Sequence, residues 1–189
     1  MALIPTPSQT VGPFLHVGLT WMTVDDLAKG ATRGERIVIS GRVLDGAGAP
    51  VPDALIEVWQ ANADGRYAHG EDTRDLPLDP GFSGFGRFPT DAQGGFRFAT
   101  IKPGAVPGPG NSFQAPHIVV CLFMRGLLRH LYTRIYFSDE VGNAEDPVLG
   151  LIADPARRAT LVADRELGTA QYRWDIVMQG DRETVFFDA

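Results

Sequence analysis

Glycine and proline divide this chain into short segments in which apolar and polar residues alternate. Its 189 residues include 22 glycines and 14 prolines, spread along the whole length. Alternation with a period of two is typical of half-buried strands, and such frequent breakers leave little room for long helices. The sequence therefore predicts an all-β fold, a two-sheet β-sandwich with long loops and a short helix, in one domain over 1–189. Residues 1–35 are predicted to form an N-terminal arm and lead-in segment, and the region 69–88 resists assignment.

Seven segments are predicted to be strands, from their alternation or their apolar composition. They are Arg36–Leu44, Ala54–Gln60, Phe96–Phe98, Ile118–Met124, Leu131–Phe137, Tyr172–Gln179 and Glu183–Phe187. The segment Ile118–Met124 is continuously apolar, which predicts a central strand covered on both faces. Asp154 and Pro155 have the residue types of an N-cap and a first helical position, so a short helix is predicted from there through Arg158.

Charge and cysteine content narrow the class of protein. The net charge is −6 and the basic residues are scattered, which argues against binding to nucleic acid or to an anionic membrane surface. The N-terminus lacks the basic and apolar regions of a secretory signal. The single cysteine, Cys121, allows no internal disulfide and is predicted to be a small buried apolar residue rather than a nucleophile. Together these features predict a soluble cytoplasmic protein.

Tyrosine and histidine supply the candidate metal ligands. Tyr67 and His117 lie on separate predicted segments, and a phenolate with an imidazole suits a ferric ion. The same-face neighbour of His117 is Val119, so the next position on that face offers no ligand. His69 would share a face with Tyr67 if the strand continued there, and Tyr136 is interpreted as a packing aromatic. On residue chemistry alone, structural roles for Tyr67 and His117 are favoured.

Several longer runs are similar to one enzyme family. They are PSQTVGPF, VWQANADGRY, TDAQGGFRFATIKPG, QAPHI and IVMQGDRETVFFDA, and together they extend from the N-terminal arm to the end of the chain. With these runs the chain resembles the intradiol ring-cleaving dioxygenases. Within that family it looks like the α chains of members that are assembled from α and β chains. The resemblance implies a prealbumin-like β-sandwich and a homologous β chain as partner.

The resemblance also implies where a ferric site would lie and why this chain does not complete it. Iron-bearing β chains of the family supply two tyrosines and two histidines. Tyr67 and His117 match the first tyrosine and the first histidine, whereas the second of each falls at Val106 and Val119. The arginine that precedes the histidine pair in the family falls at Gln114. The resemblance therefore implies that this chain has no catalytic residue and no metal site of its own, and that Fe³⁺ is bound by the partner β chain.

Two parts of the chain match the contribution of α chains to substrate binding. One is the N-terminal arm, with Thr10, Gly12, Pro13 and Phe14 as the residues expected to approach a flat aromatic ring. The other is Arg125, whose guanidinium is expected to pair with the carboxylate of 3,4-dihydroxybenzoate.

The implied reaction is cleavage of 3,4-dihydroxybenzoate by O₂ to 3-carboxy-cis,cis-muconate in a large αβ hetero-oligomer. Arg134 is interpreted as an interface or structural ion pair rather than a substrate contact. Two alternatives stay open. One is a complete single-chain intradiol enzyme that recruits His69 or His130 as ligands, and the other is a non-enzymatic prealbumin-like binding module.

Overall fold

A computed structural model of the chain describes residues 17–188. Within that range the chain forms eleven strands: β1 (Arg36–Leu44), β2 (Leu55–Trp59), β3 (Phe85–Pro89), β4 (Gly95–Ile101), β5 (Val106–Pro107), β6 (Phe113–Gln114), β7 (Ile118–Phe123), β8 (Leu131–Phe137), β9 (Val162–Arg165), β10 (Gln171–Arg173) and β11 (Ile176–Val177). The helical elements that lie entirely within this range are three 3₁₀ turns, at Thr20–Met22, Val141–Glu145 and Leu149–Leu151, and one short α-helix, α1 (Pro155–Ala159). No helix among these residues has both the length and the apolar character needed to cross a bilayer.

The strands form a nearly closed sandwich. Nine of them share one hydrogen-bonded sheet in the order β11-β1-β10-β9-β8-β7-β2-β3, with β4 pairing to β1, and β5 and β6 make a separate ribbon. The all-β prediction is confirmed, but the two-sheet description is not exact. The parallel pairing of β8 with β9, in which Tyr136 lies opposite Val162, joins the half β3-β2-β7-β8 to the half that contains β1.

One hydrophobic core lies between the two halves and includes residues from both. In β4 the side chains alternate, so that Phe96 and Phe98 are buried while Arg97 is exposed. Phe98 stacks on Phe88 of β3 with ring centroids 5.0 Å apart. The prediction that the two aromatics of this strand point to one face is therefore correct, because the pleat sends alternate side chains to opposite faces.

The strand predictions at β1 and β8 are confirmed at both ends. The helix prediction is also confirmed, since Asp154 caps α1 by accepting a 2.8 Å hydrogen bond from the Ala156 N–H. The predicted strand Glu183–Phe187 is wrong, because there only Phe187 pairs, as a single bridge to Tyr132.

One further strand prediction needs correction, and one strand was not predicted. Tyr172–Gln179 is divided into β10 and β11, with Trp174 between them. The Trp174 carbonyl oxygen lies so close to β1 that a Cβ added to Gly41 would be 1.6 Å from it. The strand β3 begins inside the region 69–88, which had no sequence assignment, and ends at Pro89. Its burial alternates like that of the other strands, but the glycine and proline around it obscure the pattern.

The strand β7 is central in the sheet but is covered fully on one face only. Ile118, Val120 and Leu122 are buried in the core, whereas Val119 and Cys121 point to the opposite face and are half-buried. The predicted coverage of both faces is therefore wrong, and Cys121, which was predicted to be buried, is half-buried. The half-covered surface is called the outer face of β2, β7 and β8, and the candidate site lies at one end of it.

Candidate functional site

The outer face brings a short row of side chains together at one end of the sheet. Trp59 of β2 lies opposite Val119 of β7, and Val119 lies opposite Arg134 of β8. His117 comes just before β7, is 5% exposed, and has its ring centroid 5.7 Å from that of Tyr136. Its Nδ1 lies 2.8 Å from the carbonyl oxygen of its neighbour Ala115. Val119 and His117 therefore occupy adjacent places on one surface.

Tyr67 joins this row from the loop that follows β2. Its ring stacks on Trp59 with centroids 6.0 Å apart and an interplanar angle of 9°. Its N–H donates a 2.8 Å hydrogen bond to Asp72, which Arg74 holds through two hydrogen bonds of 2.8 and 2.6 Å. The loop is not a strand, so the condition for a shared strand face with His69 is not met. His69 nevertheless lies edge-on to Trp59, with centroids 6.4 Å apart.

A contact between two loops brings Val106 close to the segment that carries Tyr67. Gly65 has φ +76°, and a Cβ on it would lie 2.1 Å from the carbonyl oxygen of Ala105. Only glycine fits both this backbone conformation and this separation. Val106 then begins the β5–β6 ribbon, where it pairs with Gln114. The structure thus gathers all four positions, and Tyr67, Val106, His117 and Val119 are together called the degenerate centre.

Arg134 connects the parts of the degenerate centre. Its Nη1 donates hydrogen bonds to Gln114 Oε1 at 2.6 Å and to the Tyr136 hydroxyl at 3.3 Å. Its guanidinium carbon lies 6.0 Å from the centroid of the Phe187 ring. It makes no salt bridge with any residue between 17 and 188, so the expected structural ion pair is not found within this part of the chain. Its importance was missed because sequence alone does not show which side chains face it.

Asp146 is a buried hydrogen-bond acceptor that holds the backbone and Tyr136 beside the degenerate centre. It accepts hydrogen bonds from three backbone N–H groups, those of Ala115 at 2.7 Å, Val148 at 2.9 Å and Leu149 at 2.8 Å. The Tyr136 hydroxyl donates a fourth, at 3.1 Å. Tyr136 therefore does more than pack. Sequence analysis missed Asp146, although the proline that follows it is a cap-like signal of the kind that revealed α1.

Burial and one cation set the protonation states in the centre. Burial, together with the nearby charge of Arg134, lowers the pKa of His117 to about 4. Burial raises the pKa of the Tyr67 phenol and of the Tyr136 phenol. Near neutral pH the imidazole is uncharged and both phenols keep their protons. The centre thus offers hydrogen-bond donors and a fixed guanidinium rather than a set of anionic ligands.

These residues do not fit a ferric ion. Val106 and Val119 have no donor atom, and no three side chains of His, Cys, Asp or Glu within 17–188 gather closely enough to hold a metal ion. His130, a ligand in the single-chain alternative, packs 5.3 Å from Phe123 and 4.8 Å from Tyr132, beyond the end of β7 that lies away from His117. The geometry therefore gives no support to a complete iron site in this part of the chain.

Arg125 lies away from the degenerate centre. It follows β7 at the end opposite His117, which puts the two residues roughly 25 Å apart along the strand. Its side chain is 72% exposed, and its Nε is 3.0 Å from Asp53 Oδ2. The predicted arm residues lie outside the described range; they are Thr10, Gly12, Pro13 and Phe14.

The fold and the comparisons with known proteins define a class of protein: the chain belongs to the intradiol ring-cleaving dioxygenases, and a model of the family described as Dioxygenase matches residues 14–180. The protocatechuate 3,4-dioxygenase alpha chain of Pseudomonas putida is 44% identical to it, over 98% of this chain and 98% of the relative. The protocatechuate 3,4-dioxygenase beta chain of Burkholderia cepacia is 42% identical, over 92% of this chain and 75% of the relative.

A solved structure agrees with the family assignment. The dioxygenase domain of a carbohydrate-binding fusion protein from Streptomyces sp. SirexAA-E aligns with a TM-score of 0.61 and 27% identity, covering 96% of this chain and all of the domain. The family consists of ring-cleaving enzymes that are generally iron-dependent. The identity of the family is thereby established from sequence and from fold.

Proposed function

We propose that this chain is the non-iron-binding α subunit of a protocatechuate 3,4-dioxygenase. In the proposed complex, a homologous β subunit binds the Fe³⁺ and the two chains form a large αβ hetero-oligomer. The complex cleaves 3,4-dihydroxybenzoate between its two hydroxylated carbons and yields 3-carboxy-cis,cis-muconate. Both oxygen atoms of O₂ enter the product, so the reaction needs no further reductant.

The observation that carries the proposal is the end-to-end match to an α chain of this name. That match covers 98% of both sequences, whereas the β chain match leaves a quarter of the β chain unaligned. The degenerate centre supports the same assignment, because Val106 and Val119 remove two of four ligands. A chain that keeps the fold but lacks the ligands is well suited to shape a partner's site.

Arg125 is the residue of this chain that we expect to bind the substrate carboxylate. Asp53 contacts it through Nε, and neither of its Nη atoms donates a hydrogen bond to a residue in 17–188. A guanidinium presents its two Nη groups as one edge of a fork, which is the geometry that a carboxylate accepts. An exposed ion pair contributes only about 0–1 kcal/mol, so Asp53 orients Arg125 without preventing it from binding a ligand.

The arm residues Thr10, Gly12, Pro13 and Phe14 are proposed to line the same pocket on the partner. A cytoplasmic location also remains part of the proposal. It is supported by the lone Cys121, which leaves no internal disulfide. This chain would thereby supply orientation and charge to the reaction, and correct placement of a substrate is worth several kcal/mol of barrier.

Expression of the chain alone and together with its β subunit tests the proposal. We expect the chain alone to be colourless and free of iron. The complex should contain iron, absorb visible light through tyrosinate-to-iron charge transfer, and consume O₂ when 3,4-dihydroxybenzoate is added. Colour and turnover from the chain alone would contradict the subunit assignment and favour the single-chain enzyme. A stable monomer that binds neither iron nor a β subunit would favour the prealbumin-like binding module.

A further inference from the structure

Arg134 borders the degenerate centre. Arg134 is the direct cross-strand partner of Val119, and side chains paired in this way have Cβ atoms roughly 5 Å apart. Its Nη1 donates to Gln114 Oε1 at 2.6 Å, and Gln114 is in turn the strand partner of Val106. Both ligand positions that carry valine therefore lie next to Arg134 or one residue from it.

The two positions that keep a ligand side chain are also within reach of this cation. The charge of Arg134 acts on the Tyr67 phenol and on the His117 imidazole. The Arg134 guanidinium also donates a 3.3 Å hydrogen bond to the Tyr136 hydroxyl, and the Tyr136 ring packs on His117. Arg134 is thus related to all four positions, by strand pairing, by hydrogen bonding through Gln114 or by its charge.

The surroundings of the guanidinium resemble a cage for a bound cation. An amide oxygen of Gln114 and the phenol of Tyr136 accept its hydrogen bonds, and Phe187 presents its ring 6.0 Å away. All three partners are neutral, and none is a carboxylate. Because a guanidinium does not lose its proton in proteins, this positive charge is permanent.

We propose that the Arg134 guanidinium stands in place of the metal: it is the resident cation of this centre and excludes iron from it. Two effects act together. The guanidinium fills space among the ligand positions, and its charge repels a second cation in a half-buried site where solvent screens weakly. Replacing the two valines by ligands is then not sufficient to restore iron binding. The inference concerns only this chain's own centre and holds whatever substrate the complex cleaves.

Restoring the ligands with and without Arg134 tests the proposal in the full-length chain. The double variant Val106→Tyr/Val119→His is offered Fe³⁺ as its nitrilotriacetate complex, desalted, and measured for iron content and visible absorption. We expect no bound iron. Adding Arg134→Gln removes the charge, and we expect about one iron per chain with a tyrosinate-to-iron band. Adding Arg134→Lys instead keeps the charge, so this matched control should remain colourless.

The outcomes separate cleanly. Stoichiometric iron in the double variant, or in the lysine control, would overturn the proposal. So would the absence of iron in a variant with Arg134→Gln that near-UV circular dichroism shows to be folded. If the larger ring at position 106 prevents folding, Val119→His is compared with and without Arg134→Gln by titration with Zn²⁺. Binding at least about tenfold tighter without the arginine supports the proposal, and equal affinities overturn it.

Discussion

The Nε atom of Arg125 lies 3.0 Å from Oδ2 of Asp53, where the chain leaves β7. Asp53 Oδ1 is buried and has no hydrogen-bond partner, and the Arg125 side chain is 72% exposed. The ion pair therefore has a carboxylate that is partly buried in the protein and a guanidinium that is mostly exposed to solvent. Such an arrangement holds a guanidinium in a preferred direction and leaves most of its donors for a ligand.

Replacing Arg125 by alanine should weaken binding of a carboxylated substrate specifically. One charge-assisted hydrogen bond contributes about 1.5–3 kcal/mol, so Arg125→Ala should raise KM for 3,4-dihydroxybenzoate by roughly 10- to 150-fold. Catechol, which has no carboxylate, should be affected far less. Steady-state O₂ consumption by the αβ complex with both substrates measures the difference.

Arg129 provides the matched control for this experiment, since it is an exposed arginine of the same loop. Arg129→Ala changes the net charge of the complex equally, and we expect KM for either substrate to stay within about twofold. Equal effects of Arg125→Ala on both substrates would remove Arg125 from the carboxylate.

Replacing Asp53 by asparagine should act only through Arg125. The variant Asp53→Asn keeps the shape of the side chain but removes its charge, so the guanidinium loses its preferred direction. We expect a change of about two- to fivefold in KM for 3,4-dihydroxybenzoate, in line with the small energy of an exposed ion pair. In a double-mutant cycle with Arg125→Ala this effect should vanish. An undiminished effect in the absence of Arg125 would indicate that Asp53 acts by another route.

Local sequence predicted most of the fold because β1, β4 and β8 each have a clear alternating pattern between turn residues. The strand β3 was missed because glycine and proline interrupt its five residues, and β9 was missed because four residues carry too little periodicity. The joining of the two halves through β8 and β9 could not be predicted. Pairing between strands distant in sequence depends on tertiary packing, and the alternating pattern within a strand does not indicate which strands pair with it.

Sequence could locate only those site residues whose identity matches a ligand pattern. Tyr67, His117 and the two valines were located by their resemblance to a ligand pattern, and the structure places them together. Arg134 was interpreted only as an interface or structural ion pair and Asp146 was not recognised, since the importance of both lies in what surrounds them. Arginine within a strand is ordinarily a solvent-facing residue, and only the register with Val119 shows that this one is directed into the centre.

Removing the Asp146 carboxylate should destabilise the fold strongly. Asp146→Ala would leave three backbone N–H groups and the Tyr136 hydroxyl without their acceptor. Each unsatisfied buried donor costs about 1–3 kcal/mol, and partial rearrangement would reduce the sum, so we expect a loss of at least about 3 kcal/mol. Urea unfolding followed by tryptophan fluorescence measures it. Asp146→Asn keeps one acceptor oxygen and should lose clearly less, and an equal loss in both variants would contradict this role.

Cys121 should react slowly with thiol reagents despite its partial exposure. Burial, with a smaller contribution from the charge of Glu57, raises the pKa of the Cys121 thiol to about 12. At about pH 8 its thiolate fraction is then smaller than that of an ordinary cysteine by more than about a thousandfold. We expect Ellman's reagent to react at least about 100-fold more slowly with the folded chain than with the chain in urea. Similar rates in both conditions would show that the thiol is neither buried nor perturbed.

The stability of the chain should fall in acid over a window set by His117. Its pKa is about 4 in the folded protein and about 6.5 in the unfolded chain, because folding buries the imidazole beside Arg134. Between these values the unfolded state binds more protons, so the free energy of unfolding decreases as the pH is lowered. The contribution is fully present above about pH 6.5 and lost below about pH 4, and it amounts to about 3 kcal/mol. The variant His117→Gln removes the titrating group. The free energy of unfolding in urea is measured for the unchanged protein and for this variant, and the difference between them should change across this window and be constant above it. Because every other carboxylate and histidine is shared, their titrations cancel in that difference, and parallel curves would show that His117 is not held neutral by the fold.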